Sequence, residues 1–438
     1  MAPPVQPLLP ADEVLARLLA AIQPLARVED IATPDAAGLV LATDVVSTLD
    51  VPPADNSAMD GYAMRVADVP AAGTVLPISQ RIAAGHPGTT LQPGTAARLF
   101  TGAPVPDGAD AVVMQEQCEA LAADAAAGAG ERDGNGQVGS QGEGARTLGA
   151  VRVQAVPVDG QNIRRRGEDV PSGATVLTAG RRLDPGAIGL AAAVGAATLR
   201  VAARPRVALF STGDELVMPG EPLPPGAIYN SNRFMLRALL ASLGAQVTDL
   251  GNVPDRLDAT RAALRQAAEG HDLIVTSGGV SVGEEDHLKA ALAAEGRLDL
   301  WSLAIKPGKP LAFGAVRQGD AADARHTWYL GLPGNPVSSY VTFLLFVRPV
   351  LLRMQGVADV APAAYAMRAD FDWPKPDRRR EFLRARRNAD GGLDLYPHQG
   401  SGVLTSVAWA DGLVDVPPGQ PIQHGDTVRF LPLALLAP

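Results

Sequence analysis

The sequence predicts a multidomain protein of the α/β plus β class, on three observations. The chain has 438 residues, and domains run to about 100–200 residues each, so three or four are expected. From 205 to 352, apolar strand-like runs alternate with helix-like runs, the pattern of βαβ units and a parallel-type sheet covered on both faces. On either side, short β segments are broken by Gly and Pro, which total 46 and 37 residues and imply many turns.

Taken in order, residues 11–22 read as an amphipathic helix, with Val14, Leu15, Leu18, Leu19 and Ile22 on one face and Asp12 near its start. Residues 38–50 look extended, and 52–118 hold short strands such as 74–78, 96–100 and 111–116. Residues 119–150 carry only Leu121, Val138 and Leu148 as large apolar side chains, too few to offset the entropy of ordering. They lie between strand-like runs, so a long hairpin insertion is expected, with a linker between domains as the alternative. A helix follows over 184–194. Then come strand 206–210, helix 231–243, strand 246–250, helix 256–268, strand 272–276, helix 284–294, a short strand 311–314 and strand 326–331. Helix 336–352 has Asn335 placed as N-cap and Pro336 at its first position. After about 356 the helices are expected to stop, and 380–387, 393–396, 412–416 and 427–432 read as strands of a small C-terminal β domain.

Composition narrows the chemistry. One cysteine, Cys118, excludes a disulfide framework, a zinc ribbon and an iron–sulfur cluster held by this chain. The net charge of −9 disfavours nucleic acid as a partner. The start has no basic segment leading into an apolar run, and the longest apolar stretch, 341–352, is interrupted by Arg348. The expectation is a cytoplasmic protein with no membrane attachment.

Three strand ends carry Gly-rich loops: Ser211-Thr-Gly213-Asp-Glu215, Ser277-Gly278-Gly279-Val-Ser281, and Gly331-Leu-Pro333-Gly334-Asn335-Pro336-Val-Ser338. In an open parallel sheet, ligands bind beyond the carboxyl ends of the strands. Glycines at a strand-to-helix turn let backbone N–H groups close on an anion. One such loop is a tight turn and nothing more, but three on one edge point to a phosphate-bearing ligand. Neither a P-loop nor a dinucleotide fingerprint is present, because Pro310 follows Gly308-Lys309 and no G-x-G-x-x-G follows these strands. The chain has 34 Arg but only four Lys, and two of those form Lys306-Pro-Gly-Lys309. Two ammoniums so close favour an anion between them, against a plain solvated loop. Asp214, Glu215, Asp255 and 284–286 supply carboxylates that could serve Mg²⁺ beside a phosphate, or could simply match helix dipoles. The six His show no metal spacing, and the serines lack G-x-S-x-G, so a hydrolase nucleophile is not expected.

Together these segments resemble the molybdopterin molybdenumtransferase family, related to the gephyrin E domain. The matching runs are P-P-A-D-N-S-A-M-D-G-Y-A (52–63), T-G-A-P-V-P (101–106), A-V-V-M-Q-E-Q (111–117) and N-I-R-R-R-G-E-D (162–169). They continue with V-A-L-F-S-T-G-D-E-L (207–216), S-G-G-V-S-V-G-E (277–284), A-I-K-P-G-K-P (304–310) and G-L-P-G-N-P-V-S (331–338). The resemblance spans about 8–435 apart from the insertion. It implies four domains: a discontinuous one from 1–46 and 168–203, a β-rich lobe over 47–167, a molybdopterin-binding α/β domain over 204–354, and a C-terminal β barrel over 355–438. It also implies a homodimer whose active site crosses the subunit interface, and contact with other proteins of molybdenum cofactor synthesis or use. The implied reaction inserts molybdate into adenylylated molybdopterin with release of AMP, assisted by Mg²⁺.

By position in the motifs, the resemblance gives Asp60, Thr101, Asp169, Glu215, Asp286, Lys306 and Lys309 catalytic roles, with Asp286, Glu215 and Asp60 on the metal. It places Ser211, Gly213, Asn230, Ser277, Gly278, Gly279, Ser281, Pro333, Gly334, Asn335, Pro336, Ser338, Arg379 and Ser401 on the pterin, nucleotide or molybdate. The chain departs from the family at Asn230, where several members carry Asp. Two readings compete: a molybdopterin adenylyltransferase, which would lack the 52–63 and 162–169 segments, and a non-catalytic scaffold.

Overall fold

The computed structural model describes residues 8–122, 148–279, 287–319 and 325–436. The chain divides into two compact units, one of Met1–Thr43, Ala179–Pro185 and Thr198–Pro438, the other of Asp44–Thr178 and Gly186–Ala197.

In the first unit, the described residues form a seven-stranded sheet: β1 (Leu8–Leu9), β2 (Arg206–Thr212), β3 (Gln246–Val253), β4 (Leu273–Ser277), β5 (Gly296–Leu303), β6 (Pro310–Arg317) and β7 (His326–Leu332). Their order across the sheet is β1-β5-β6-β7-β4-β2-β3. The half β7-β4-β2-β3 is parallel throughout, as the alternating pattern predicts. The other half corrects the expectation of a parallel-type sheet, because β6 runs antiparallel to both β7 and β5. The cause is chain length: 304–309 and 318–325 are too short for a crossover of a dozen or more residues. Strand β5 escaped the sequence reading because Arg297 and Asp299 interrupt its apolar run.

Side chains alternate across the strands. Val207, Leu209, Leu273 and Val275 face one core, together with helices α1 (Ala11–Ala21), α2 (Ser231–Ser242) and α5 (Pro336–Met354). Ala208, Phe210 and Ile274 face the other, under α3 (Leu257–Ala268) and α4 (His287–Glu295). Helix α5 has a mean hydropathy of 1.4, high enough for a membrane span, but 89% of that window is buried inside the protein. Its interrupting charge, Arg348, is buried and donates to the carbonyls of Leu436 and Val360, each at 3.0 Å. Burial pushes its pKa down, and Arg182 adds to the shift.

The C-terminal sheet contains β8 (Tyr365–Arg368), β9 (Arg380–Arg387), β10 (Leu393–Leu395), β11 (Gly412–Val416) and β12 (Thr427–Pro432). The pair Ile305–Lys306 joins its edge, parallel to β9. Two short helices, Thr405–Trp409 and Leu433–Leu436, correct the expectation that helices end near 356. Each spans about a turn, too short to leave an amphipathic period in the sequence.

The second unit holds a six-stranded sheet ordered Ala111–Met114, Gly61–Met64, Ala96–Leu99, Thr74–Ile82, Ala150–Val153, Cys118–Leu121. Cys118–Leu121 pairs antiparallel with Ala150–Val153, register Leu121↔Ala150, so the flanks of the 119–150 stretch form the expected hairpin rather than an interdomain linker. Its residues 123–147 lie outside the described residues.

Candidate functional site

Because β2, β4 and β7 are parallel neighbours, their carboxyl ends deliver the three Gly-rich loops to one edge. There they border a cleft of about 1120 Å³. Of the sequence-predicted residues, Gly213, Glu215, Asn230, Ser277, Gly278, Gly279, Lys306, Lys309, Pro333, Gly334, Asn335, Pro336, Ser338, Arg379 and Ser401 all line it. The loop after β4 needs its glycines. Gly278 and Gly279 have φ of 93° and 66°, and a Cβ on Gly278 would meet the Thr212 carbonyl oxygen at 2.8 Å.

One residue absent from the sequence reading ties the loops together. Asn232, in the first turn of α2, is 9% exposed and donates through Nδ2 to Ser277 Oγ at 2.8 Å and to the Gly334 carbonyl at 2.7 Å. Its signal was only the polar run Tyr-Asn-Ser-Asn at a helix start. Asn230 is the N-cap of α2, accepting from the Arg233 N–H at 3.2 Å. Asp caps helices as well as Asn, so this contact is open to either residue. Asn335 is at the N-cap position of α5 as expected, but its side chain makes no cap and borders the cleft instead.

The cationic wall is built from two parts of the chain. Lys306 Nζ lies 3.0 Å from Glu381 Oε1 and 3.5 Å from Asp377 Oδ2. Arg379 forks onto Asp377, Nε to Oδ1 at 3.1 Å and Nη2 to Oδ2 at 2.9 Å. That fork holds the Asp377 carboxyl far below the usual carboxylate range. Lys309 is exposed at the mouth. A Cβ on Gly308, at φ 112°, would meet Thr342 Oγ1 at 2.6 Å, so the lysine loop lies close against α5. The Ser401 carbonyl accepts from Val337 N–H at 2.9 Å, fastening the 400–402 loop to the start of α5. Lys306, Lys309 and Arg379 thus converge with three loops of backbone N–H groups, an arrangement suited to an oxyanion joined to a phosphorylated ligand.

Other predicted residues fall elsewhere. Ser211 is buried one residue short of the lining, its Oγ 3.5 Å from Asn230 Oδ1. Ser281 and Asp286 lie outside the described residues. Asp60 and Thr101 meet in the second unit, where Asp60 Oδ1 accepts the Thr101 N–H at 2.7 Å and its hydroxyl at 2.8 Å. These two bonds, backbone first, lower the Asp60 pKa. Asp169 is exposed in the same unit.

Among the described residues, no group of three or more His, Cys, Asp or Glu is placed to hold a metal. Glu215 and Asp255 both line the cleft. Mg²⁺ needs only one or two protein carboxylates where substrate phosphates complete its shell, so this donor set fits it. Asp214 is otherwise engaged, its Oδ1 accepting the Asp255 N–H at 3.1 Å.

Comparison with known proteins accounts for nearly the whole chain. Residues 9–195 match the family described as MoeA N-terminal region (domain I and II), 208–353 the probable molybdopterin binding domain, and 366–433 the MoeA C-terminal region (domain IV). A Mycobacterium tuberculosis protein named molybdopterin molybdenumtransferase 2 is 38% identical over 416 residues, 92% of this chain and 93% of its own length. The chain belongs to the molybdopterin molybdenumtransferase family. Another relative of that name, from Haemophilus influenzae, is 41% identical over 323 residues, 74% of this chain and 72% of its own. Solved structures of molybdopterin biosynthesis MoeA proteins from Pyrococcus horikoshii align with TM-scores of 0.77 and 0.73 at 26% and 28% identity, each covering 97% of this chain and 99% or more of theirs. The cleft therefore falls largely in the segment that matches the molybdopterin-binding family, with Arg379 and Ser401 added from the C-terminal one.

Proposed function

We propose that this protein is a molybdenum insertase, completing the molybdenum cofactor by inserting molybdate into adenylylated molybdopterin and releasing AMP. The observation that carries the reading is the convergence of Lys306, Lys309 and Arg379 on a cleft floored by the Gly-rich ends of three parallel strands. In this reading the backbone N–H groups of Gly279, Gly334 and Asn335 receive the phosphates. Lys306, Lys309, Arg379 and Ser401 receive molybdate, and Ser338 contacts a ligand oxygen. The dithiolene sulfurs come from the substrate. The chain's own thiol is a poor ligand, since burial pushes Cys118 up to about 11. Mg²⁺, held by Glu215 with Asp286 and Asp60, would neutralise charge on the pyrophosphate.

We further propose the four-domain division given above and a cytoplasmic homodimer in which Asp60, Thr101 and Asp169 face the cleft of the other subunit. Downstream contact with other proteins of cofactor synthesis or use belongs to the same reading. The test is AMP release from adenylylated molybdopterin on adding molybdate and Mg²⁺. Wild type is expected to release AMP only with molybdate, and Lys306→Ala and Asp286→Ala to lose at least about 100-fold in rate, the scale of removing a transition-state charge contact. A folded wild type that releases no AMP sinks the insertase and leaves the scaffold. Unimpaired Asp286→Ala discards the metal assignment alone.

A further inference from the structure

Behind Lys306 lies a carboxylate that no motif marks. Glu381, on β9, is only 1% exposed. Its Oε2 accepts the Trp373 indole N–H at 2.9 Å and the Asp377 backbone N–H at 2.8 Å. Its Oε1 has no hydrogen-bond partner among the described residues and lies 3.0 Å from Lys306 Nζ, an ion-pair contact. A buried carboxylate is costly unless paired and hydrogen-bonded, and an apolar side chain of similar volume would serve packing equally well. The backbone reinforces the pairing: Lys306 stands opposite Glu381 in the parallel register of Ile305–Lys306 with β9. Lys306 itself is 40% exposed and lines the cleft, so its ammonium bridges a buried acid and the open site. Asp377, the second acid near Lys306, is already forked by Arg379 and lies farther away.

We propose that Glu381 is a positioning residue for oxyanion binding, holding the Lys306 ammonium at the cleft wall from behind; the inference rests on the molybdate site proposed above. Glu381 touches no ligand and acts through Lys306. A ligand oxyanion then meets a cation whose flexible stem has already been fixed.

Glu381→Gln is the discriminating change. Its carbonyl oxygen can still accept from Trp373 and Asp377, while its NH₂ would confront the ammonium. The expected result is a molybdate half-saturation raised about tenfold, with the rate of AMP release at saturating molybdate within about threefold of wild type. In a Lys306→Ala background, Glu381→Gln is expected to add nothing, the signature of two residues acting as one. An unchanged or lower half-saturation, or additive losses in the double variant, overturns the proposal.

A second readout needs no activity, so it separates failure of this inference from failure of the insertase reading. The chain has four lysines, and although Lys306 and Lys309 share a tryptic peptide because each precedes a proline, fragment-ion sequencing of that peptide separates them. With the ion pair broken, acylation of Lys306 by an amine-reactive reagent should accelerate several-fold relative to Lys309. Equal rates in wild type and variant would show that Glu381 does not hold the ammonium, whatever the protein catalyses.

Discussion

Asp60 shows how one side chain supports both a loop and a chemical proposal. Accepting the N–H and O–H of Thr101 depresses its pKa, so the ionised form stabilises the fold. The sign follows from linkage. The contribution is complete above the unfolded value, about pH 4, and is lost as pH falls through the folded one. Asp60→Asn keeps an acceptor for Thr101 but removes the titration. Its unfolding curve is expected to lose part of its acid dependence below about pH 4, read by thermal melts across pH; an unaltered acid limb would assign that dependence to other carboxylates. At this scale the sequence was informative where composition was unusual. Lys306 and Lys309 stood out because lysine is scarce among arginines. Glu381 and Asn232 did not, because their roles arise from contacts across long stretches of chain; Asn232 and Gly334 are 102 positions apart.

At the scale of elements, the parallel strands were legible because both faces are covered, which makes them continuous apolar runs bounded by Gly and polar turns. The observed bounds of β2, β4 and β7 differ from the expected ones by at most two residues. What failed was the antiparallel half, where connection length sets direction and charged residues hide a strand. The site loops were legible as glycines, but not the reason each glycine is needed. Gly278 supplies a specific case, with positive φ and backbone of the neighbouring strand end in the way of any Cβ. Gly278→Ala is expected to cost about 1–3 kcal/mol of stability, the scale of a strained backbone residue, and to weaken ligand binding together with it. Thermal unfolding checks the first effect and nucleotide titration the second. A variant as stable as wild type would mean that the loop relaxes freely.

For the whole molecule, the proposed homodimer makes a claim that neither unit could make alone. If Lys306 acts in one subunit and Asp60 in the other, then Lys306→Ala and Asp60→Ala are defective in different halves of each site. Mixing the two inactive variants under subunit exchange should restore about a quarter of wild-type AMP release, since half the dimers are hybrids with one intact site each. No recovery despite verified exchange would place both residues in sites built from a single subunit. Helix α5 carries a different consequence, for synthesis on the ribosome. By length and composition its 19 residues could cross a membrane, yet every strand of the seven-stranded sheet that buries them precedes them in the chain. Folding proceeds from the N-terminus as the polypeptide emerges, so the sheet face of the cover exists before the segment that needs it, and only the C-terminal part, with Leu413, Leu431 and Leu436, is added afterwards. A circular permutant beginning at Pro336 would reverse that order and deliver a greasy leader with nothing yet made to shelter it.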